Sequence, residues 1–174
     1  MKLSDGTIYL RAVEPEDADI LFRHENAPER PETTVTTAPV SRLQIMNYIK
    51  NYSAELRGGG SLRLMICLEN QGETIGSVDI YDYNQRDRRA YVAIFVEKRW
   101  RNSGYGTRAL ELLCSYAAET LGLHQLAAEV AVENEGSVRT FGKAGFKTCG
   151  RLRSWLRAGR KYYDVLIFQR LFFN

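Results

Sequence analysis

The chain is short of cysteine, histidine and long apolar runs, and each shortage excludes something. Its three cysteines, Cys67, Cys114 and Cys149, stand far apart in apolar surroundings with no C-x-x-C pair. That spacing argues against a disulfide framework and against structural zinc, and it predicts buried free thiols in a reducing compartment, with no metal site. The two histidines, His24 and His124, have no accompanying nucleophile pattern and carry little weight as catalytic groups. No apolar run approaches the roughly 20 residues of a membrane helix. The start, MKLSDGTIYLRAV, lacks the basic-then-apolar order of a signal peptide. A soluble, cytoplasmic protein with no membrane partner is therefore expected. Strong charge of one sign is missing too: a net +3 is too mild for an extended nucleic-acid-binding face, so no nucleic-acid partner is expected.

What is present reads as one domain over residues 1–174, long enough to bury a real core. Hydrophobic residues make up 44% and charged ones 26%, an ordinary globular balance. Basic residues cluster at Gln85–Ala90, at Glu97–Arg101 and between Arg151 and Lys161, as a local anion site or as solvated loops. Ile8–Ala12 predicts a strand, and Glu14–Ala27 a helix opened by Pro15 and acidic residues. The proline-bearing stretch Asn26–Pro39 predicts a loop. Ser41 predicts the cap of an amphipathic helix running to the glycines at 58–60.

Two β-patterned runs follow, Ser61–Glu69 and Glu73–Tyr83, joined by a hairpin signal at Asn70-Gln71-Gly72. Ala90–Val96 predicts a third strand, Tyr105–Leu121 a helix ended by Gly122, His124–Glu133 a strand, and Gly136–Ala144 a short helix. Phe146–Leu152 and Tyr162–Phe172 complete the set as strands around a turn at Ala158-Gly159. The order predicts an α/β (α+β) fold: a central mixed, mostly antiparallel sheet with one late parallel β-α-β crossover and flanking helices.

One stretch bears on chemistry first. Gly104–Ala109, G-Y-G-T-R-A, fits the dinucleotide fingerprint G-x-G-x-x-G/A, and Glu129 stands at about the 20-residue distance of a ribose-binding acid. Three features oppose that reading. Glu97–Ser103 intervenes between strand and loop, Glu129 falls inside a strand, and only one crossover unit exists. A strand, a glycine turn and a helix start nevertheless make an anion site, because the first amides of a helix lack partners and sit at the positive end of its dipole. Arg101 and Arg108 add positive charge.

Read from Arg101, the same stretch resembles the acetyl-CoA signature of the Gcn5-related N-acetyltransferases: Q or R, two residues, G, one residue, then G or A. Asn134–Phe146, NEGSVRTFGKAGF, is similar to that family's second motif, N-x-x-A/S-x-x-x-Y/F-x-K-x-G-F. The chain looks most like the branch holding ribosomal-protein N-terminal and spermidine acetyltransferases. The resemblance implies acetyl-CoA as cofactor and a primary amine, on a protein N-terminus, a polyamine or another small molecule, as acceptor. It assigns to the cofactor the strand edge at Ile94, Phe95 and Val96, with the opposite lip around Val132. It adds the loop Arg101, Asn102, Ser103, Gly104, Tyr105, Gly106 and Thr107, and from the second motif Asn134, Ser137 and Phe141.

In such enzymes the amine loses a proton, attacks the thioester carbonyl, and a donor protonates the thiolate. The usual tyrosine donor is Phe141 here, which has no proton to give. Ser137 is the replacement expected for that step, or else a cap of its short helix. On the base side, Tyr91 stands where some relatives carry a glutamate. Asp82, with Asp79 beside it, stands where spermidine enzymes carry acids, and Glu29 and Glu32 fall in the loop that shapes the acceptor site. Trp100 and Trp155 are expected as packing and turn residues rather than stacking platforms. The Arg151–Asp164 hairpin, by the resemblance, borders the acceptor site and takes part in a homodimer or higher oligomer. The rival reading is a non-catalytic acyl-CoA-binding or sensing module, which Phe141 and Tyr91 keep open.

Overall fold

The computed structural model of the protein describes residues 3–27, 38–52, 54–56 and 60–172. In chain order the elements are β1 (Leu3–Ser4), β2 (Ile8–Ala12), a 3-10 turn (Pro15–Asp17), α1 (Ala18–Glu25) and α2 (Arg42–Lys50). Then come β3 (Leu62–Leu68), β4 (Thr74–Asn84), β5 (Arg89–Val96), a second 3-10 turn (Lys98–Trp100) and α3 (Tyr105–Glu119). β6 (Gln125–Ala131), α4 (Glu135–Lys143), β7 (Lys147–Ala158) and β8 (Lys161–Leu171) complete the chain.

The strands form one sheet in the order β1-β2-β3-β4-β5-β6-β8-β7. β5 and β6 are parallel, joined through α3, and all other neighbours are antiparallel. The expected fold class holds. The alternation of β3 separates the two faces, since successive side chains of a strand point oppositely. Ile66 and Leu68 join a large core with α3 and Phe141, whereas Met65 and Cys67 join a smaller one with Ile20, Leu21 and Ile45 of α1 and α2. α3 and α4 thus cover one face, and α1 and α2 cover part of the other. No helix among the described residues is long and apolar enough to cross a membrane.

Local differences from the sequence reading have local causes. The first helix starts as a 3-10 turn because Asp17 is spent elsewhere: only 2% exposed, it takes a two-pronged bond from Arg11 and accepts from the Thr74 hydroxyl and the Glu14 amide. A buried carboxylate is tolerable only when so fully bonded. Ser41 does cap α2, in a capping box with Gln44. The helix stops at Lys50 rather than near Arg57, because the Asn51 side chain bonds the Asn47 carbonyl and Tyr52 turns its hydroxyl to the Arg63 backbone. β7 runs six residues past the expected Leu152. A bulge between Thr148 and Gly150 turns Cys149 outward, so it is exposed, while Cys67 and Cys114 are buried as expected.

The β4/β5 pair fixes the geometry of the site. Gly76 faces Val96 in register, and a β-carbon on it would lie 2.1 Å from the Phe95 carbonyl oxygen. Only glycine permits that backbone approach. Gly76→Ala is expected to destabilise the fold by about 2 kcal/mol through overpacking, measured as a lowered urea midpoint. A midpoint equal to the parent's contradicts the close-approach argument.

Candidate functional site

The site begins where two strands part. β5 and β6 pair at Arg89–Gln125, Ala90–Leu126 and Tyr91–Ala127 and nowhere beyond. β5 stays on β4 as far as Val96, and β6 stays on β8 as far as Ala131. Each strand follows its antiparallel partner, and a wedge-shaped split opens between them. Hydrogen-bond alternation identifies the groups that face it. The Glu97 amide donates to Ile75 of β4, so by the two-residue repeat Phe95 and Ala93 also direct their backbone groups to β4. Ile94 and Val96 therefore direct theirs into the split. The Val96 carbonyl already accepts from Arg101 Nε at 2.9 Å.

Side chains on this strand have separate duties. Ile94 and Val96 pack toward α3, where a β-carbon on Gly106 would lie 3.6 Å from Ile94 and 3.2 Å from Thr140. Phe95 points to the other face and stacks on the buried His24 ring, centroids 3.8 Å apart. Gly106 thus lets the start of α3 press against β5 and α4.

At the open end of the split lies the glycine loop. Asn102 and Gly104 take φ of 62 and 82, left-handed backbone of the kind that turns successive amides toward one side of a loop. Gly104 is the cap of α3, with no side chain capping it, and the first backbone bond of the helix is Arg108 to Gly104. The amides of Tyr105, Gly106 and Thr107 have no acceptor among the described residues, and a β-carbon on Gly104 would meet nothing within 4 Å. These residues fit a phosphate-bearing ligand: free amides, a helix dipole and room for close approach. Arg108, expected to add charge here, instead bonds Asp5. That bond, with the Ile8 and Thr7 amides, overcomes burial and holds the Asp5 carboxyl below its usual range. Beside the loop, an open cavity of about 770 Å³ runs between α1 and the end of β5, over Phe22, Arg23, Phe95 and Glu97. Glu97 is buried and held there by Arg23.

The second motif supplies the far lip. Asn134 caps α4 through its side chain, accepting from the Ser137 amide at 3.1 Å, so Asn134 and not Ser137 is the cap. Ser137 is half-buried on the first turn. Phe141 is 3% exposed and lies edge-on to Phe146 and stacked on Phe168, an apolar setting with no proton to offer. The Val132 amide donates to Asp164 of β8, tying this lip to the last hairpin.

On the opposite face the expected acids divide. Asp79 is committed to Arg63, with bonds of 2.6 and 3.1 Å. Asp82 is exposed, at a bulge of β4 with φ of 49. Tyr81 and Tyr91 stack across the β4/β5 pair, centroids 5.8 Å apart. Burial pushes the Tyr81 hydroxyl up to about 12, helped by the negative charges of Glu129, Asp79 and Asp82. The sequence presents Glu129 only as a ribose-binding acid and not as a base. It lies two positions past the last β5/β6 pair, on the face away from buried Ala128 and Val130. Its strand alternation was the signal available. Glu29 and Glu32 lie outside the described residues. No cluster able to hold a metal ion occurs among the described residues.

Residues 7–147 match the family described as Acetyltransferase (GNAT) domain. The chain belongs to the GNAT acetyltransferases. Acetyl-CoA is the co-substrate of that family. The chain is 26% identical over 162 residues to the uncharacterized N-acetyltransferase p20 of Bacillus licheniformis, covering 93% of this chain and 91% of the relative. It is 33% identical over 85 residues to the spermidine N(1)-acetyltransferase of Escherichia coli K12, 49% of this chain and 46% of that one. In fold it superposes on the ribosomal-protein acetyltransferase RimL, solved with coenzyme A, with a TM-score of 0.86 at 17% identity over 98% of each chain. It also superposes on the spermidine N-acetyltransferase of Vibrio cholerae, solved with CoA and spermine, with a TM-score of 0.84 at 22% identity over 96% of each.

Gly104→Asp adds a carboxylate among the free amides and is expected to weaken CoA binding at least about a hundredfold by calorimetry. Affinity within threefold of the parent's removes the loop from the cofactor site.

Proposed function

We propose that the chain moves the acetyl group of acetyl-CoA to a primary amine by direct attack. The amine belongs to a polypeptide N-terminus, a polyamine or another small molecule. The observation that carries this reading is the free edge of β5 leading to a loop of unpartnered amides. The backbone groups of Ile94 and Val96 suit an added strand-like arm, with Phe95 holding β5 to β4 behind them. Arg101, Asn102 and Ser103 shape the approach to the amides from Gly104 through Tyr105, Gly106 and Thr107, which suit a pyrophosphate. Asn134, Ser137 and Phe141 form the other wall. When bound, acetyl-CoA supplies an activated thioester carbonyl.

The remaining chemistry falls to this chain's side chains. Asp82 and Glu129, with Tyr81 and Tyr91 between them, make the β4/β5/β6 face electronegative, which draws an ammonium. The carboxylate of Glu129 is our choice to accept its proton, with Tyr91 and Asp82 orienting the amine. The raised pKa of Tyr81 keeps its hydroxyl a donor. Ser137, relieved of capping by Asn134, protonates the departing thiolate that Phe141 cannot serve. The spermidine and ribosomal-protein relatives support both acceptor classes. A homodimeric, cytoplasmic enzyme fits this reading.

Thiol release from acetyl-CoA over a panel of amines tests the activity. Turnover on at least one primary amine is expected, and cofactor binding with no turnover on any would make the chain a binding module. Ser137→Ala is expected to lower kcat about tenfold or more with CoA affinity unchanged, and Glu129→Gln about a hundredfold; a parent-like kcat removes the residue concerned from the chemistry. Because Tyr81 stays protonated toward 12, kcat should show no descending limb from it below about pH 10. A limb there that vanishes in Tyr81→Phe contradicts its assignment as a neutral donor.

A further inference from the structure

The distal half of the β7/β8 hairpin carries features that the transfer reaction leaves unused. β6 pairs with β8 only as far as Ala131–Val165, and Asp164 closes the root by accepting from the Val132 amide. β8 is antiparallel to β6, so residues before Asp164 continue past the end of β6. That is the end at which β5 and β6 diverge. The hairpin therefore projects from the lip of the split on its open side.

Its composition is one-sided. Five cations, Arg151, Arg153, Arg157, Arg160 and Lys161, share the segment with a single acid, Asp164. That acid is already spent. It accepts from the Ser154 amide at 2.8 Å and from Arg151 Nε at 2.7 Å, pinning the bulge between Leu152 and Leu156, where Ser154 has a φ of 47. These bonds hold its carboxyl below the ordinary range, the Ser154 amide contributing most. Arg153 is exposed beside Asp164, whose charge it shares with Arg151, and Arg157, Arg160 and Lys161 are exposed with no acidic partner among the described residues. Between them stand Trp155, 59% exposed, and Tyr162, 61% exposed. Trp155, expected from sequence as a packing or turn residue, stands exposed within the bulge. Large rings held out to solvent among an excess of cations mark a contact surface.

We propose that this hairpin docks an acidic segment of a polypeptide acceptor, just downstream of the amine to be acetylated. The inference rests on the transfer reaction proposed above and narrows its acceptor. Charge complementarity selects an acidic partner, and the rings add apolar contact for its side chains. The position of the hairpin selects a chain rather than a small amine. Gly159 at the turn lies five positions before Asp164, about 16 Å along an extended strand. A polypeptide running extended from the split to the turn covers that distance in about five residues, which puts its acidic residues near the third to sixth positions.

The test uses the full chain and three acceptors: a free-N-terminal octapeptide with Asp or Glu at positions three to six, the same peptide with Asn and Gln there, and a small primary amine. The acidic peptide should show a KM at least tenfold lower than its neutral twin, with similar kcat, and that advantage should shrink as salt is raised. Arg153→Glu with Arg157→Glu should erase the advantage and leave turnover of the small amine unchanged; Trp155→Ser should raise KM for both peptides. Equal KM for the two peptides, with amines still acetylated, overturns the docking surface alone, whereas no transfer to any amine sinks the underlying reaction. Two other results also overturn it: a single-stranded oligonucleotide that binds the hairpin and does not compete with the acidic peptide, or charge reversals that dissociate a dimer and depress small-amine turnover equally.

Discussion

Everything in the site depends on one constraint: a strand inside a sheet is left without a neighbour on one side along more than half its length. Unpaired backbone groups in a sheet interior are costly unless something satisfies them. Here the cost follows from commitments made on either side. Gly76 lets β4 grip β5 to its last residue, and β6 is held equally far by β8. With both strands tied outward, the three pairs from Arg89 to Tyr91 cannot extend. The resulting edge of Ile94 and Val96 is a fixed template for an extended ligand, shaped before any ligand arrives.

The same arrangement divides charge. At the end of β5 the chain offers amides with no acceptor among the described residues, and Arg101, while at the root of the split Tyr81 sits among the charges of Glu129, Asp79 and Asp82. On the function proposed, an anion is favoured at one end and an ammonium at the other, which sorts the two reactants along one groove before any bond changes. Phe141 fits this division. Buried against Phe146 and Phe168, it packs and has no proton to give, and on the function proposed that chemistry passes to Ser137 on the polar lip beside it, where Asn134 takes the cap.

The fold was largely legible in the sequence, and the site half so. Period-two runs and glycine stops marked seven of the strands and every helix, because those signals are local. The end of α2 was misread because Asn51 and Tyr52 leave the helix for tertiary partners, the Asn47 carbonyl and the Arg63 backbone. The outward turn of Cys149 depends on a bulge, which composition does not announce. The candidate cofactor loop was visible because its glycines and its arginine are contiguous and the second motif follows in order. Asp79 and Glu129 were not separable by sequence: only folding shows that Arg63 occupies the first and that the second stands just past the last β5/β6 pair.

The split strand is the central claim, and amide hydrogen exchange with and without CoA tests it most directly. The amides of Ala93 and Phe95, bonded to β4, should be protected in both states. Those of Ile94 and Val96 should exchange readily in the free protein and become protected when CoA is added. Unchanged exchange at Ile94 and Val96 under saturating CoA would contradict the account.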